Sequence, residues 1–74
     1  MKVEKLVRMA NEISRNLRAL PGDEPVAATA EHMRSFWTPG MCASLIAHAE
    51  ADGEGLDPIA LEAVGVLGAE ASAK

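Results

Sequence analysis

The side chains best suited to metal binding or nucleophilic catalysis in this sequence are His32, Cys42 and His48. None of them shows the close paired spacing of a zinc site, so we expect no metal ligands. Cys42 could form a thiolate pair with either histidine, but it falls near the apolar face of a predicted helix, which favours an inert, buried thiol. Its place near the start of that helix would lower its pKa only if the thiol were exposed.

The eleven carboxylates and the glycines offer no better catalytic or cofactor-binding site. The carboxylates include no obvious pair with an apolar pocket that would shift the pKa of one of them, and a chain this small has little room for a substrate cavity. Gly53, Gly55, Gly65 and Gly68 do not follow a predicted strand, which argues against a dinucleotide or phosphate loop. We therefore predict no catalytic residue and no cofactor-binding residue in this chain.

Charge is unevenly distributed along the sequence. Residues 1–20 carry a net charge of +3 and residues 21–74 carry −7, which gives the total of −4. Two helices around the tight turn at Thr38 and Pro39 suggest a DNA-binding helix-turn-helix, but the second of them contains no lysine or arginine. We therefore expect no nucleic-acid partner, although the basic first helix could dock on an acidic surface.

Size and composition point to a small cytoplasmic domain that needs a partner. The longest uncharged run, residues 35–49, is shorter than the roughly 20 apolar residues that span a bilayer, and the first residues do not look like a secretory signal. Alanine supplies 14 of the 74 residues, so little area is buried per residue. A single cysteine excludes an internal disulfide and suits a reducing compartment, which leaves a partner as the expected support.

Apolar spacing predicts helices throughout the chain. A stripe at intervals of three and four residues begins at Val3 and continues to Leu20, and a second one continues to about Trp37. A third helix should end before Gly53, and the pair Asp57 and Pro58 should start a fourth. No strand-like alternation is present. The prediction is an all-α, small irregular three- to four-helix domain formed by residues 1–74, with a frayed tail at 69–74.

The break at Thr38 and Pro39 places the two aromatic residues of the chain at a helix corner. The residue before proline avoids the α region, whereas proline fits the first turn of a helix, so Thr38 should cap the third helix. The spacing predicts that Trp37 continues the apolar face of the second helix and that Phe36 lies on its flank. Such a pair can pack two helices together or offer an apolar surface to a partner.

Four segments in order carry a resemblance to a known family. They are LVRMANEI at 6–13, HMRSFWTPGM at 32–41, LIAH at 45–48 and GLDP at 55–58. Together they resemble the delta subunit of soluble NAD-dependent formate dehydrogenase of the molybdenum or tungsten type, over roughly residues 3–67. The resemblance implies a non-catalytic accessory subunit that supports assembly, stability or cofactor maturation of the large catalytic subunit. It also implies that molybdopterin, iron–sulfur, FMN and NAD are bound by partner subunits.

The candidate partner interface has an apolar centre and a basic rim. The centre is Phe36, Trp37 and Met41, and the rim consists of Arg8, Arg15 and Arg18. An alternative function is an independent homodimer, a regulator or scaffold, that pairs the apolar stripes of the first helix. A third possibility is a chaperone that leaves after cofactor insertion, which differs from a permanent subunit only in its lifetime.

Overall fold

Four α-helices connected by short turns make up the structure, a computed structural model that describes residues 2–72. Within this range no residue forms a strand, which confirms the all-α class. The helices are α1 (Val3–Leu17), α2 (Glu24–Phe36), α3 (Pro39–Ala51) and α4 (Pro58–Ser72).

The first helix is shorter than its apolar stripe predicted. Helix α1 ends at Leu17, and Leu20, which was expected on the apolar face, lies in the following turn with 39% of its surface exposed. The chain reverses at Gly22, whose φ of 61° is in the left-handed region that glycine enters without steric cost. Helix α2 then begins at Glu24, and Asp23 precedes it without a side-chain capping hydrogen bond.

The predicted boundaries of α3 and α4 are confirmed by their capping contacts. The Thr38 hydroxyl accepts a hydrogen bond from the backbone N–H of Met41 at 3.2 Å. At the other end of α3, the N–H of Gly53 donates to the carbonyl of His48 at 2.9 Å, with Gly53 at a φ of 65°. The Asp57 carboxylate accepts from the N–H of Ala60 at 2.8 Å and caps α4.

Helices α1 and α4 occupy the centre of the arrangement. Each packs against the other and against both α2 and α3, whereas α2 and α3 diverge from the corner and make little contact with each other. The irregular four-helix arrangement is therefore confirmed. Within residues 2–72, four of the ten buried apolar residues are alanine, which lets the helices approach closely but adds little buried area. The core consists of Leu6, Ala10, Ala30, Met33, Trp37, Leu45, Ala60, Ala63, Val64 and Leu67.

The last turns of α4 fall within the tail at 69–74, whose fraying stays a prediction. Helix α4 continues to Ser72, and residues 73 and 74 lie outside the described part of the chain. An exposed ion pair joins this end of α4 to α2. The guanidinium of Arg34 on α2 donates to both carboxylate oxygens of Glu70, at 2.9 Å and 2.7 Å from its Nη2. This bidentate contact holds the last turns of α4 against α2.

Candidate partner-binding surface

Phe36 and Trp37 are neighbours in sequence but have opposite environments. Helix α2 ends at Phe36, and Trp37 adopts an extended backbone with a ψ of 148° that turns its indole into the core. Trp37 is 8% exposed, whereas Phe36 is 75% exposed. The predicted division between apolar face and flank is confirmed. Of the two aromatic candidates for the interface, only Phe36 is available to a partner in this fold, and Trp37 serves the core.

His32, one turn before Phe36 on α2, is the side chain that supports the exposed ring. The two ring centroids lie 4.8 Å apart with an angle of 37° between the planes. This spacing falls within the range of favourable aromatic contacts. His32 is itself exposed, so the pair forms a ridge on the surface rather than an extension of the core. The ridge restricts the Phe36 side chain before any partner arrives, which reduces the entropy lost on binding.

Met41, the third apolar candidate, is only partly available. It lies in the first turn of α3, is half-buried and packs against the core. Together with Leu6, Gly40 and Ser44 it borders a shallow depression of about 270 Å³. A side chain from a partner could reach Met41 through this depression, but its exposure is much smaller than that of Phe36.

The three predicted rim residues are exposed but occupy two separate places. Arg8 lies near Lys2 and Lys5 in the first half of α1, with Glu4 among them. Arg15 and Arg18 border a depression of about 340 Å³ at the start of α4. Within residues 2–72, none of the three arginines forms an ion pair. They are free to meet acidic groups, although no contact in the structure joins them to Phe36.

Arg34 is the basic residue that the fold itself uses. Besides its bidentate contact with Glu70, it forms an ion pair with Glu31 one turn earlier on α2. The hydrogen bond to Glu70, followed by the charges of both carboxylates, raises the pKa of Arg34. Arg34 therefore connects α2 to α4 and is not part of the free basic surface of α1.

A polar junction between α1 and the start of α4 was missed by the sequence analysis. Asn11 donates from Nδ2 to the carbonyl of Gly55 at 2.8 Å and accepts at Oδ1 from the N–H of Asp57 at 3.0 Å. The buried Ser14 hydroxyl donates to the Asp57 carboxylate at 2.5 Å. We call these three side chains, Asn11, Ser14 and Asp57, the α1–α4 junction. The sequence did contain a signal for this junction. Asn11 and Ser14 are polar, yet they are three residues apart, which is the spacing of the apolar stripe.

Cys42 packs beside the core near the start of α3. Its Sγ lies 4.0 Å from the carbonyl oxygen of Met33, and burial raises the pKa of the thiol. Desolvation disfavours the thiolate, which is the reactive form of this side chain. Among residues 2–72, no three histidine, cysteine, aspartate or glutamate side chains are grouped to hold a metal ion. The one cysteine also does not match the four thiolates that commonly hold an iron–sulfur cluster.

Comparison with known proteins identifies the family. No helix in the described range has the length and apolar character needed to cross a membrane. Comparison with curated proteins and with solved structures gave no match. The family model described as NADH-dependent formate dehydrogenase delta subunit FdsD matches residues 5–64. This range includes Phe36 and Trp37, which we call the aromatic corner, the α1–α4 junction and most of the four helices. The chain therefore belongs to the family of NADH-dependent formate dehydrogenase delta subunits.

Proposed function

We propose that this chain is a non-catalytic accessory subunit of a cytoplasmic NAD-dependent formate dehydrogenase of the molybdenum or tungsten type. In this proposal it binds the large catalytic subunit and supports its assembly, stability or cofactor maturation. Membership of the delta-subunit family supports association with the enzyme complex. The chain contributes a surface, and the oxidation of formate with transfer of electrons to NAD takes place on other subunits.

The exposed ring of Phe36 is the observation that carries this proposal. Three quarters of its surface is uncovered, although the chain has few large apolar side chains to spare for its core. A rigid aromatic residue that becomes fully desolvated on binding is a frequent energetic centre of a protein interface. The fold supports this role, because the adjacent Trp37 fixes the end of α2 from the core side.

The basic side chains of α1 suit the rim of such an interface. Residues 2–18 carry five basic and two acidic side chains. Charges at a rim chiefly accelerate association and select the partner, whereas the aromatic centre supplies most of the affinity. We therefore assign orientation and encounter to Arg8, Arg15 and Arg18, and affinity to Phe36 with a smaller contribution from Met41.

Binding alone is sufficient for the assembly role. A subunit that binds one conformation of the catalytic subunit preferentially raises the population of that conformation by mass action. If the preferred conformation is the one that accepts or holds the cofactor, the accessory subunit increases the fraction of active enzyme without contributing a catalytic group. Molybdopterin, iron–sulfur, FMN and NAD are bound by partner subunits in this proposal.

The test is purification of a tagged chain from its native cells, with quantification of co-purified large subunit and its molybdenum or tungsten. We expect wild type to recover the large subunit, and Phe36→Ala to reduce recovery about tenfold or more, the effect of losing an interfacial aromatic centre. Leu20→Ala is the control, because Leu20 is also an exposed apolar residue but lies at the other end of α2. Equal recovery by both variants would remove Phe36 from the interface.

The state of the recovered large subunit tests what the chain does. Metal-loaded large subunit in equal amount indicates a permanent subunit, and metal-free large subunit indicates a role confined to maturation. Recovery of the chain alone, or only with further copies of itself in sedimentation, would overturn the proposal in favour of an independent homodimer.

A further inference from the structure

The contact between α3 and α4 contains an open apolar groove. It has a volume of about 360 Å³, and its walls include Ile46 and Ala49 on α3 and Leu61, Val64, Gly65 and Gly68 on α4. From Leu61 the α4 lining continues to Ser72, about three helical turns, so the groove runs along α4 rather than forming a compact pit. Leu61, at one end, keeps 41% of its surface exposed. An elongated groove of this kind fits a helix better than a small molecule.

Two glycines of α4 create the groove, and the backbone does not require them. The glycines of residues 2–72 that adopt a positive φ are Gly22, Gly53 and Gly55, so Gly65 and Gly68 have ordinary helical geometry. A Cβ atom added at Gly65 would meet no atom within 4 Å, and one at Gly68 would make an ordinary contact with Ile46 at 3.4 Å. Alanine at either position would give a more stable helix. These glycines therefore weaken α4 while keeping the groove open.

The charges around the groove restrict what can occupy it. Residues 35–72 contain six acidic residues and no lysine or arginine. Glu50 lines the groove, and Glu62 lies on α4 on the same side as Ala69, another lining residue seven positions later. A second copy that placed the same face across a twofold axis would bring these carboxylates together, which is unfavourable. A basic occupant is favoured instead.

We propose that the groove between α3 and α4 binds an amphipathic helix of the partner, with small or apolar residues facing the glycines and lysine or arginine beside them. The glycines let the backbone of the incoming helix approach closely, and Glu50 and Glu62 pair with its basic side chains. The identity of the partner, the large catalytic subunit, rests on the proposed function. The groove is a second contact, distinct from the aromatic corner, so the subunit holds its partner at two places.

The groove is tested by filling it. Gly65→Leu adds a side chain in open space at a helical position, and Ala27→Leu makes a comparable addition at an exposed site on α2. Binding of each variant to the purified large catalytic subunit is measured by surface plasmon resonance. The helix content and the urea midpoint of each variant are measured as controls for folding. We expect Gly65→Leu to fold normally and to bind at least tenfold more weakly, whereas Ala27→Leu binds like wild type.

A second pair of variants tests the charge requirement and does not depend on how Gly65→Leu folds. The double variant Glu50→Lys and Glu62→Lys should weaken binding at least fivefold, and the loss should shrink at high salt. Glu12→Lys and Glu4→Lys make the same charge change on the basic side of α1 and should leave the groove contact intact. If the double variant on α1 weakens binding to the large subunit as much as the double variant at the groove, or more, the proposal is overturned.

The outcomes separate this inference from the proposed function. If wild type does not bind the large subunit, the proposed function fails. If wild type binds and Gly65→Leu binds equally well, only the groove is overturned. If Gly65→Leu abolishes self-association in sedimentation while binding to the large subunit is unchanged, the groove is occupied by a second copy, which also overturns the proposal.

Discussion

Helix α4 makes polar contacts with α1 and α2, whereas its contact with α3 is apolar and contains the groove. We call the first the closed side of α4 and the second its open side. Toward α1 and α2 it is fixed by the Asp57 carboxylate bound to Ser14 and by the pair of Arg34 and Glu70. Toward α3, no side-chain hydrogen bond or ion pair within residues 2–72 reaches α4, and two glycines face the gap there. The hydrogen bond and the ion pair of the closed side require a defined geometry, so they fix the position of α4. The apolar contacts of the open side require no such geometry, so a partner can cover that side without disrupting an internal contact.

The same contrast appears at the corner, within two consecutive residues. Trp37 completes the closed interior and Phe36 is left outside it. The core of this chain is small, yet one of its two aromatic residues, Phe36, is exposed and contributes little to folding. From this difference we infer that buried residues such as Trp37 stabilise the fold and exposed residues such as Phe36 bind the partner. Variants that change one of these two properties and leave the other unchanged test this inference.

The largest expected effect on folding comes from Trp37→Ala. This change removes the only buried aromatic side chain in the described range, and truncations of this kind cost about 3–5 kcal/mol. For a domain of this size such a loss approaches the whole free energy of unfolding. We expect the isolated variant to be largely unfolded by circular dichroism. A urea midpoint close to that of wild type would contradict the assignment of Trp37 to the core.

The second largest effect should come from Asp57→Ala, which breaks the closed side of α4. The change removes the cap on Ala60 and the carboxylate that accepts from the buried Ser14 hydroxyl, which keeps the Asn11 carbonyl at 2.9 Å as an acceptor. A lost cap and a lost hydrogen bond to a carboxylate together cost about 2 kcal/mol in the free energy of unfolding. Urea denaturation measures the loss. The control is Glu62→Ala on the exposed surface of α4, for which a change above about 0.5 kcal/mol would be unexpected.

Local signals in the sequence were sufficient for the helices and their ends. Thr38, Gly53 and Asp57 act within a few residues of themselves, so their capping roles could be predicted without knowing the fold. Helical spacing also placed Trp37 on the apolar face and Phe36 on its flank, although both were assigned to the centre of the interface, from which the fold removes Trp37. The contact of Glu70 near the end of α4 could not be predicted locally, because its partner Arg34 lies 36 residues earlier.

The long-range features could not be predicted in this way. The side chain of Asn11 donates to the carbonyl of Gly55, which is 44 residues away in sequence, and no local pattern indicates this contact. From the sequence alone, Gly65 and Gly68 only lower the stability of a predicted helix. Their role in forming a groove depends on Ile46 lying opposite, and a single sequence contains no information on that packing.

Phe36→Ala should affect folding much less than the change at its neighbour. The ring makes its described aromatic contact with the exposed His32, and replacement of a surface side chain of this kind changes the free energy of unfolding by about 0.5 kcal/mol or less. Urea denaturation of the isolated chain provides this value, to be compared with the loss of large-subunit recovery. A destabilisation as large as that of Trp37→Ala would mean that folding and association share residues at the corner.

The smallest effect concerns the thiol of Cys42, at the edge between the closed interior and the surface. Burial disfavours its thiolate, so its pKa is higher in the folded chain than in the unfolded chain. The stability that this shift provides is present below the pKa of the unfolded thiol, near 8.5, and decreases as pH rises above it. With only one cysteine in the sequence, alkylation reports on this group alone. The rate should rise with pH to a higher midpoint for the native chain than for the chain in urea. If the midpoint of the folded chain is equal to or lower than that of the chain in urea, the start of α3 activates an accessible thiol. Cys42 would then belong to the surface and not to the edge of the core.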